Sequence, residues 1–267
     1  RISVGGAEAL SLSMRLRVLP YSLIEPTDMY WGEYYTGPKF ANTDEAKIAT
    51  MKADMADMRA NGMTSVGLCF GPPTDTLVWA ADDTCSITWD GASLYEHFMD
   101  TYAELGYPMP VVLLSDSGQG AAGMGIDDPV SSERWANRYK AYWSMMQQEQ
   151  QERGWPELFI QPVDEPGWQD REAKDRNVYC LQLLKQIPGM RTEQDGPGDD
   201  YFHNEAGPYA DMWNYNGALV KPERIRQIQE DGRIVVIYNC DVESYRPETC
   251  RYTAGWFQLA SGISGCY

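Results

Sequence analysis

The sequence predicts a (β/α)8 barrel of the TIM type, and three observations favour this fold. Short β-branched or aromatic runs alternate with amphipathic helical segments at a spacing of roughly thirty residues, as in successive βαβ units. The length of 267 residues is that of one complete barrel domain. No GxGxxG or P-loop sequence favours an open, doubly wound sheet instead.

Eight runs with strand character, numbered here as barrel strands one to eight, account for the β half of the pattern. Barrel strand four is strongly apolar and leads directly into Asp164-Glu165-Pro166. Barrel strand five is short and follows Gly189. The predicted strands are 29–35, 64–70, 111–115, 158–163, 190–193, 211–215, 233–239 and 263–267.

Helices are predicted between these strands from apolar spacing and from capping residues. In the first, 43–61, apolar side chains recur at intervals of three and four residues, and Gly62 follows its end. Ser93 and Glu96 open the second in a capping-box arrangement. The others are 132–153, 170–186, a helix from Pro222 that ends before Gly232, and 248–260.

The two ends of the chain depart from a minimal barrel. Segment 9–19 alternates like an additional strand, and no sequence follows Tyr267 to form an eighth helix. We therefore expect 1–24 to be the tail of a preceding β-domain or a linker. Residues 25–267 would form the barrel without its last helix, cut from a longer polypeptide.

Composition excludes several classes of partner. A formal charge of −17 and a pI near 4.5 disfavour binding to nucleic acid or anionic lipid. No apolar run approaches the roughly 18 residues needed to cross a bilayer. The acidic pairs Asp82-Asp83 and Asp199-Asp200 lack EF-hand spacing, so we predict neither a metal nor a cofactor.

Asp164 and Glu165 are the predicted catalytic residues. Barrels of this type carry their reactive groups where strands end and βα loops begin. Adjacent carboxylates tend to raise the pKa of one group, which keeps a proton available for general acid catalysis. Trp168 follows closely and offers a flat face for stacking on a sugar ring.

A carbohydrate cleft is favoured by aromatic and polar residues near other strand ends. Half of the side chains on any strand point outward to the helices, so only part of this set can face a ligand. His203 lies in a loop that can reach the cleft, whereas His97 is predicted to be structural or exposed. The predicted substrate-binding residues are Trp31, Trp168, Trp213, Tyr215, Tyr238, Asn239 and His203.

Four stretches together resemble the catalytic domain of family 123 glycoside hydrolases and relatives: RVLPYSLIEPTDMYWGEYY, MKADMADMRANGMTSV, PVDEP and ADMWNYNG. The resemblance spans nearly the whole chain, and the Asp-Glu pair is its chemically specific part. It implies a β-N-acetylgalactosaminidase that uses the 2-acetamido group of the substrate as nucleophile, on a barrel preceded by a β-sandwich. Asp164 would then polarise the acetamido group, Glu165 would be the acid and base, and Tyr215 would donate to the acetamido oxygen.

Two other functions remain open at this point. In a conventional retaining glycosidase, Asp241 or Glu243 would be the nucleophile, with its carboxyl group about 5 to 5.5 Å from that of Glu165. In a non-enzymatic protein, the barrel would bind glycans or assemble into an extracellular structure.

Six cysteines occur without a CxxC spacing, which favours disulfides over zinc ligation. The predicted pairs are Cys69–Cys85 and Cys240–Cys250, each closing a βα loop, while Cys180 and Cys266 are expected to be buried free thiols. The alternative is that all six are reduced core residues, since cysteine is among the most buried residue types. Disulfides and an acidic composition together predict an extracellular or periplasmic protein.

Overall fold

The computed structural model describes residues 2–4, 7–10, 15, 17–18, 20, 26–114, 129–217, 220–238 and 247–267. The predicted (β/α) barrel is confirmed: eight short parallel strands alternate with helices around a closed ring. Barrel strand one consists of two stretches, Tyr30–Trp31 and Tyr34–Tyr35. Strands two to eight are Gly67–Leu68, Val111–Leu114, Leu158–Gln161, Arg191–Gly196, Met212–Asn216, Ile234–Tyr238 and Gly265–Cys266.

The ring closes through the two halves of strand one. Tyr30–Trp31 pairs with strand eight, and Tyr34–Tyr35 pairs with strand two. Glycine permits the close approach at this seam, because a Cβ on Gly265 would lie 2.0 Å from the carbonyl oxygen of Tyr30. Gly265 also has φ +155°, a conformation that favours glycine.

The helices follow the predicted order closely. Thr43 caps the first helix by accepting from the Ala46 N–H at 3.2 Å, and Ser132 caps the third by accepting from Trp135 at 3.1 Å. The described helical segments are Asp44–Ala60, Leu94–Glu104, Glu133–Arg153, Arg171–Leu184, Pro222–Glu230 and the consecutive turns Pro247–Arg251, Tyr252–Phe257 and Gln258–Ser261.

The predicted capping box at Ser93 and Glu96 is not formed. Ser93 occupies the N-cap position, but its side chain makes no capping hydrogen bond. Glu96 instead accepts from the Gly91 N–H at 3.1 Å and from Arg153 at 2.9 Å. The ion pair with the third helix draws this carboxylate away from the N-cap backbone.

Among the described residues, two small antiparallel sheets do not belong to the ring of strands. Ile2–Val4 pairs with Ala7–Leu10, and Leu77–Trp79 pairs with Cys85–Ile87 in the insertion after strand two. The expected strand over 9–19 falls largely outside the described residues, and the division at 24/25 stays a prediction. Among the described helices, none combines the length and apolar character needed to span a membrane.

Hydrophobic side chains pack in two layers, one between the strands and helices and one inside the ring. The inner layer consists of Tyr30, Val112, Phe159, Met212, Val236, Tyr238 and Tyr267. Because side chains alternate along a strand, inward Met212 places Asn214 on the inner face as well. Asp195 pairs in register with Asn214, and Glu193 pairs with Met212, so both carboxylates also face inward. The barrel interior thus changes from apolar to acidic towards the carboxyl ends of the strands.

Candidate active site

The Asp164–Glu165 turn begins three residues after barrel strand four. Val163 is buried before it, and Pro166–Trp168 forms a single 3-10 turn after it, with the Trp168 N–H donating to the Glu165 carbonyl at 3.0 Å. Glu165 has φ +43°, and among non-glycine residues in the described ranges only Asp83 shares a positive φ. Such a conformation costs about 1–2 kcal/mol and is concentrated at functional sites.

Glu165 is held by contacts from two other strands. Its backbone N–H donates to Asp195 Oδ1 at 2.9 Å, from strand five. The Tyr238 hydroxyl, on strand seven, donates to Glu165 Oε1. Burial raises the pKa of Tyr238 well above its ordinary value, so the phenol remains a donor across the physiological range. Strands five and seven therefore both contact Glu165, one at its backbone and the other at its carboxylate.

Strand five contributes two carboxyl groups that the sequence analysis did not identify. Glu193 is 0% exposed and Asp195 is 2% exposed. Burial raises the pKa of Glu193 to about 8; the Asn214 side chain opposes this, and the Asp164 charge adds to it. Burial also raises the pKa of Asp195 well above its usual range, reinforced by Glu193 and Asp164. Burial thus favours the protonated form of both carboxyl groups.

Neither carboxylate oxygen of Glu193 has a hydrogen-bond partner of good geometry among the described residues. This leaves a buried polar group whose ionisation nothing nearby fully compensates. The run TEQDG does contain a sequence signal for these two residues. In a strand, positions 193 and 195 share one face, and positions 192 and 194 share the other. The prediction ended strand five at 193 and so left Asp195 in a loop.

Aromatic residues and amides form the base of the site. Asn214 donates to the Tyr34 hydroxyl at 2.8 Å, and the Tyr34 ring meets the Tyr238 ring edge-on at 6.2 Å. Tyr267 lies beside Tyr34 with 5.9 Å between ring centroids, and its hydroxyl is 2.6 Å from Ser65 Oγ. These contacts join strands one, six, seven and the segment after strand eight beneath Glu165.

The predicted site residues divide between two faces of the barrel wall. Tyr238 contacts Glu165. Trp168 lies in the turn that follows Glu165, and its side chain is 61% exposed. Asp164 is exposed, and its charge acts on Glu193 and Asp195.

Trp31 is half-buried, and alternation places it opposite to inward Tyr30. Asn239 lies outside the described residues, as do the alternative nucleophiles Asp241 and Glu243.

Trp213, Tyr215 and His203 form a separate cluster on the helix-facing side of strand six. Trp213 is 3% exposed and Tyr215 is 1% exposed, within the hydrophobic layer that also contains Ile225. His203 stacks on Trp213 at 5.7 Å and lies 2.9 Å from the Tyr215 hydroxyl. The structure does not bring these three together with Glu165, because inward Asn214 forces its two neighbours to the outer face.

The predicted Cys69–Cys85 disulfide is wrong, since both cysteines are free thiols. Burial raises the pKa of Cys69 to about 11, and the nearby charge of Asp164 adds to this rise. Burial also raises the pKa of Cys85 to about 11, and nearby Arg138, on helix Glu133–Arg153, opposes it.

Cys180 is buried and free, as predicted, and Cys266 is free but half-buried. Cys240 lies outside the described residues, so its predicted pair with Cys250 stays a prediction. The predicted Cys69–Cys85 disulfide no longer supports an extracellular or periplasmic location. That location stays a prediction from the acidic composition of the chain. Across the described ranges, no group of three or more His, Cys, Asp or Glu side chains is arranged to hold a metal ion.

Comparison with solved structures finds similar barrels in two glycoside hydrolases. A family 123 glycoside hydrolase from Clostridium perfringens, studied for glycolipid glycan hydrolysis, superposes with a TM-score of 0.63 at 14% identity, covering 91% of this chain. A family 2 glycosyl hydrolase from Bacteroides cellulosilyticus superposes with a TM-score of 0.50 at 13% identity, covering 90%. The chain spans 50% of the first structure and 28% of the second.

No protein-family model and no curated protein sequence matches this chain. At these identities the likeness establishes the fold alone, a TIM-like (β/α) barrel.

Proposed function

We propose that this chain is a glycoside hydrolase that cleaves a terminal N-acetyl-β-hexosaminide, of N-acetylgalactosaminide type, by substrate-assisted retaining catalysis. The observation that carries the proposal is the Asp164–Glu165 turn at the end of strand four, with Glu165 contacted by Tyr238 and Asp195. The resemblance of the PVDEP segment to family 123 enzymes and the likeness of the barrels support the same assignment.

In the proposed reaction, the acetamido carbonyl oxygen of the substrate attacks the anomeric carbon as the glycosidic C–O bond breaks. Glu165 gives its proton to the departing oxygen, which leaves as an alcohol. Asp164 orients the acetamido group and balances the positive charge that develops on it. Glu165 then takes a proton from water as that water attacks the anomeric carbon, which restores the acetamido group with overall retention.

The remaining parts of the site fit a sugar ligand. Trp168 is an exposed aromatic face beside the turn, and CH-rich sugar faces pack on such rings. Burial raises the pKa of both Glu193 and Asp195, which favours the neutral form of each carboxyl group at the barrel mouth.

The first experiment compares 4-nitrophenyl N-acetyl-β-galactosaminide with the plain 4-nitrophenyl β-galactoside. Hydrolysis confined to the acetamido substrate is expected, because only that substrate contains the nucleophile. Good turnover of the plain galactoside would favour the conventional two-carboxylate mechanism instead. Glycan binding without turnover of either substrate would favour a non-catalytic barrel.

The second experiment replaces the proposed acid and base. Glu165→Gln should lower kcat on glycosides with poor leaving groups by about 10²–10⁴-fold, since this is the usual contribution of general acid catalysis. Glu172→Gln, an exposed position in the first turn of helix Arg171–Leu184, is the matched control and should retain wild-type kcat. Undiminished activity in Glu165→Gln would remove Glu165 from the mechanism.

A further inference from the structure

The Glu165 backbone adopts a conformation that this residue type does not favour by itself. Its φ of +43° and ψ of +50° lie in the left-handed region, where a non-glycine residue persists only when surrounding contacts hold it. Outside its own turn, the Glu165 backbone donates a hydrogen bond from its N–H to Asp195 Oδ1. The direction of the Glu165 side chain follows from this backbone conformation.

Asp195 is well placed to act as a fixed acceptor. It lies near the end of strand five, is almost fully buried, and pairs in register with Asn214 on strand six. The groups that act on its carboxyl are Glu193 on its own strand, Asp164 and Glu165 after strand four, and the Glu165 N–H. Tyr238 on strand seven lies close enough to interact with it as well.

We propose that Asp195 is a positioning residue, whose carboxyl oxygen holds the Glu165 backbone in its left-handed conformation and thereby directs the Glu165 side chain towards Tyr238 and the bound glycoside. This inference rests on the proposed glycosidase function for its catalytic consequence. Asp195 supplies a hydrogen-bond acceptor and takes no part in the proton transfer itself. Either protonation state of its carboxyl group retains an oxygen that can accept from the Glu165 N–H.

Two substitutions separate the acceptor from the charge. Asp195→Asn retains a side-chain oxygen at the same distance from the backbone, whereas Asp195→Ala removes it. Asp170→Ala is the matched control, because Asp170 Oδ1 also accepts from a backbone N–H at 2.9 Å, that of Ala173, but at a helix N-cap. All three variants are compared by crystal structure and by kcat and KM on glycosides with good and poor leaving groups.

In Asp195→Ala, Glu165 is expected to leave the left-handed region and to lose its contact with Tyr238. The kcat for a poor leaving group should fall about 100-fold with KM within about threefold, because a misplacement near 1 Å costs about this factor. A good leaving group should lose much less, since it needs little protonation. Asp195→Asn should keep the Glu165 conformation and most of the activity, and Asp170→Ala should keep both.

The proposal is overturned if Glu165 retains its φ and its Tyr238 contact in Asp195→Ala, or if Asp195→Asn loses as much activity as Asp195→Ala. A merely structural role would lower stability in both Asp195→Ala and Asp170→Ala without changing the leaving-group dependence. If the wild-type chain hydrolyses no glycoside, the proposed function fails, and the crystal structures still decide whether Asp195 positions Glu165.

Discussion

Replacing Glu193 by glutamine should stabilise the folded chain at alkaline pH and leave its stability at acid pH nearly unchanged. Glu193 is completely buried inside the barrel, and its pKa rises from an ordinary value of 4.5 to about 8. Glutamine has nearly the same shape but cannot ionise. At alkaline pH the wild type loses folding free energy because its buried carboxyl group cannot ionise as freely as it does in the unfolded chain. The variant has no such group and therefore avoids this loss.

The sign of the effect follows from proton linkage. Below pH 4.5, both the folded and the unfolded chain hold the Glu193 proton, so this group does not alter the free energy of unfolding. As the pH rises towards about 8, the unfolded chain releases the proton and the folded chain retains it, so the wild type loses stability. Above about pH 8 both states release it, and the loss stays constant.

The size of the effect follows from the same two values. A pKa difference of one corresponds to about 1.4 kcal/mol. The interval from 4.5 to about 8 thus amounts to a loss on the order of 5 kcal/mol. This is a large fraction of the roughly 5–15 kcal/mol that stabilises a typical domain.

Urea denaturation of the wild type and Glu193→Gln at pH 4.5 and pH 8.5 measures this difference directly. The free energies of unfolding should agree within about 1 kcal/mol at the lower pH and separate by several kcal/mol at the higher pH. Glu104→Gln, at an exposed helix end, is the matched control and should follow the wild type at both values. A Glu193→Gln variant that follows the wild type at pH 8.5 would refute the reasoning, because Glu193 would then ionise without cost.

Two further substitutions test the contacts around Glu165 and the barrel seam. Tyr238→Phe removes the hydroxyl that donates to Glu165. Because a hydrogen bond to a charged group contributes about 1.5–3 kcal/mol, kcat should fall roughly 10- to 100-fold while the thermal unfolding temperature changes little. An unchanged kcat would show that this contact has no catalytic role. Gly265→Ala places a Cβ 2.0 Å from the Tyr30 carbonyl oxygen, where the ring of strands closes. We therefore expect this variant to yield little soluble, cooperatively unfolding protein. A variant with the wild-type melting temperature would contradict this description of the seam.

Sequence patterns predicted many helices and strands of the barrel, because these elements depend on residues that are close together along the chain. The first helix was predicted over 43–61 and extends over Asp44–Ala60, with Met51 and Met55 buried and Gly62 at φ +94° after its end. Its apolar spacing and end residues are properties of neighbours along the chain. The position of Asp164 and Glu165 after strand four was predictable for the same reason, since an apolar run that ends in two carboxylates needs no distant partner to be recognised.

Which face of a strand points inward was decided only by the closed ring. Strand six has aromatic rings at 213 and 215 and an amide at 214, and a sequence pattern allows either set to face a ligand. Pairing with strands five and seven turns Asn214 inward, and Trp213 and Tyr215 consequently pack against the helices. The same pairing directs Glu193 and Asp195 into the barrel.

The sequence by itself determined the order of strands and helices and the Asp164–Glu165 pair, because these depend on residues close together along the chain. Only the tertiary structure decided that Asp195 and Tyr238 meet at Glu165, that Cys69 and Cys85 remain free thiols, and that strand one divides to close the ring. These contacts join residues far apart in sequence. Their geometry is set by the register between neighbouring strands, and a shift of one residue would turn every side chain to the other face.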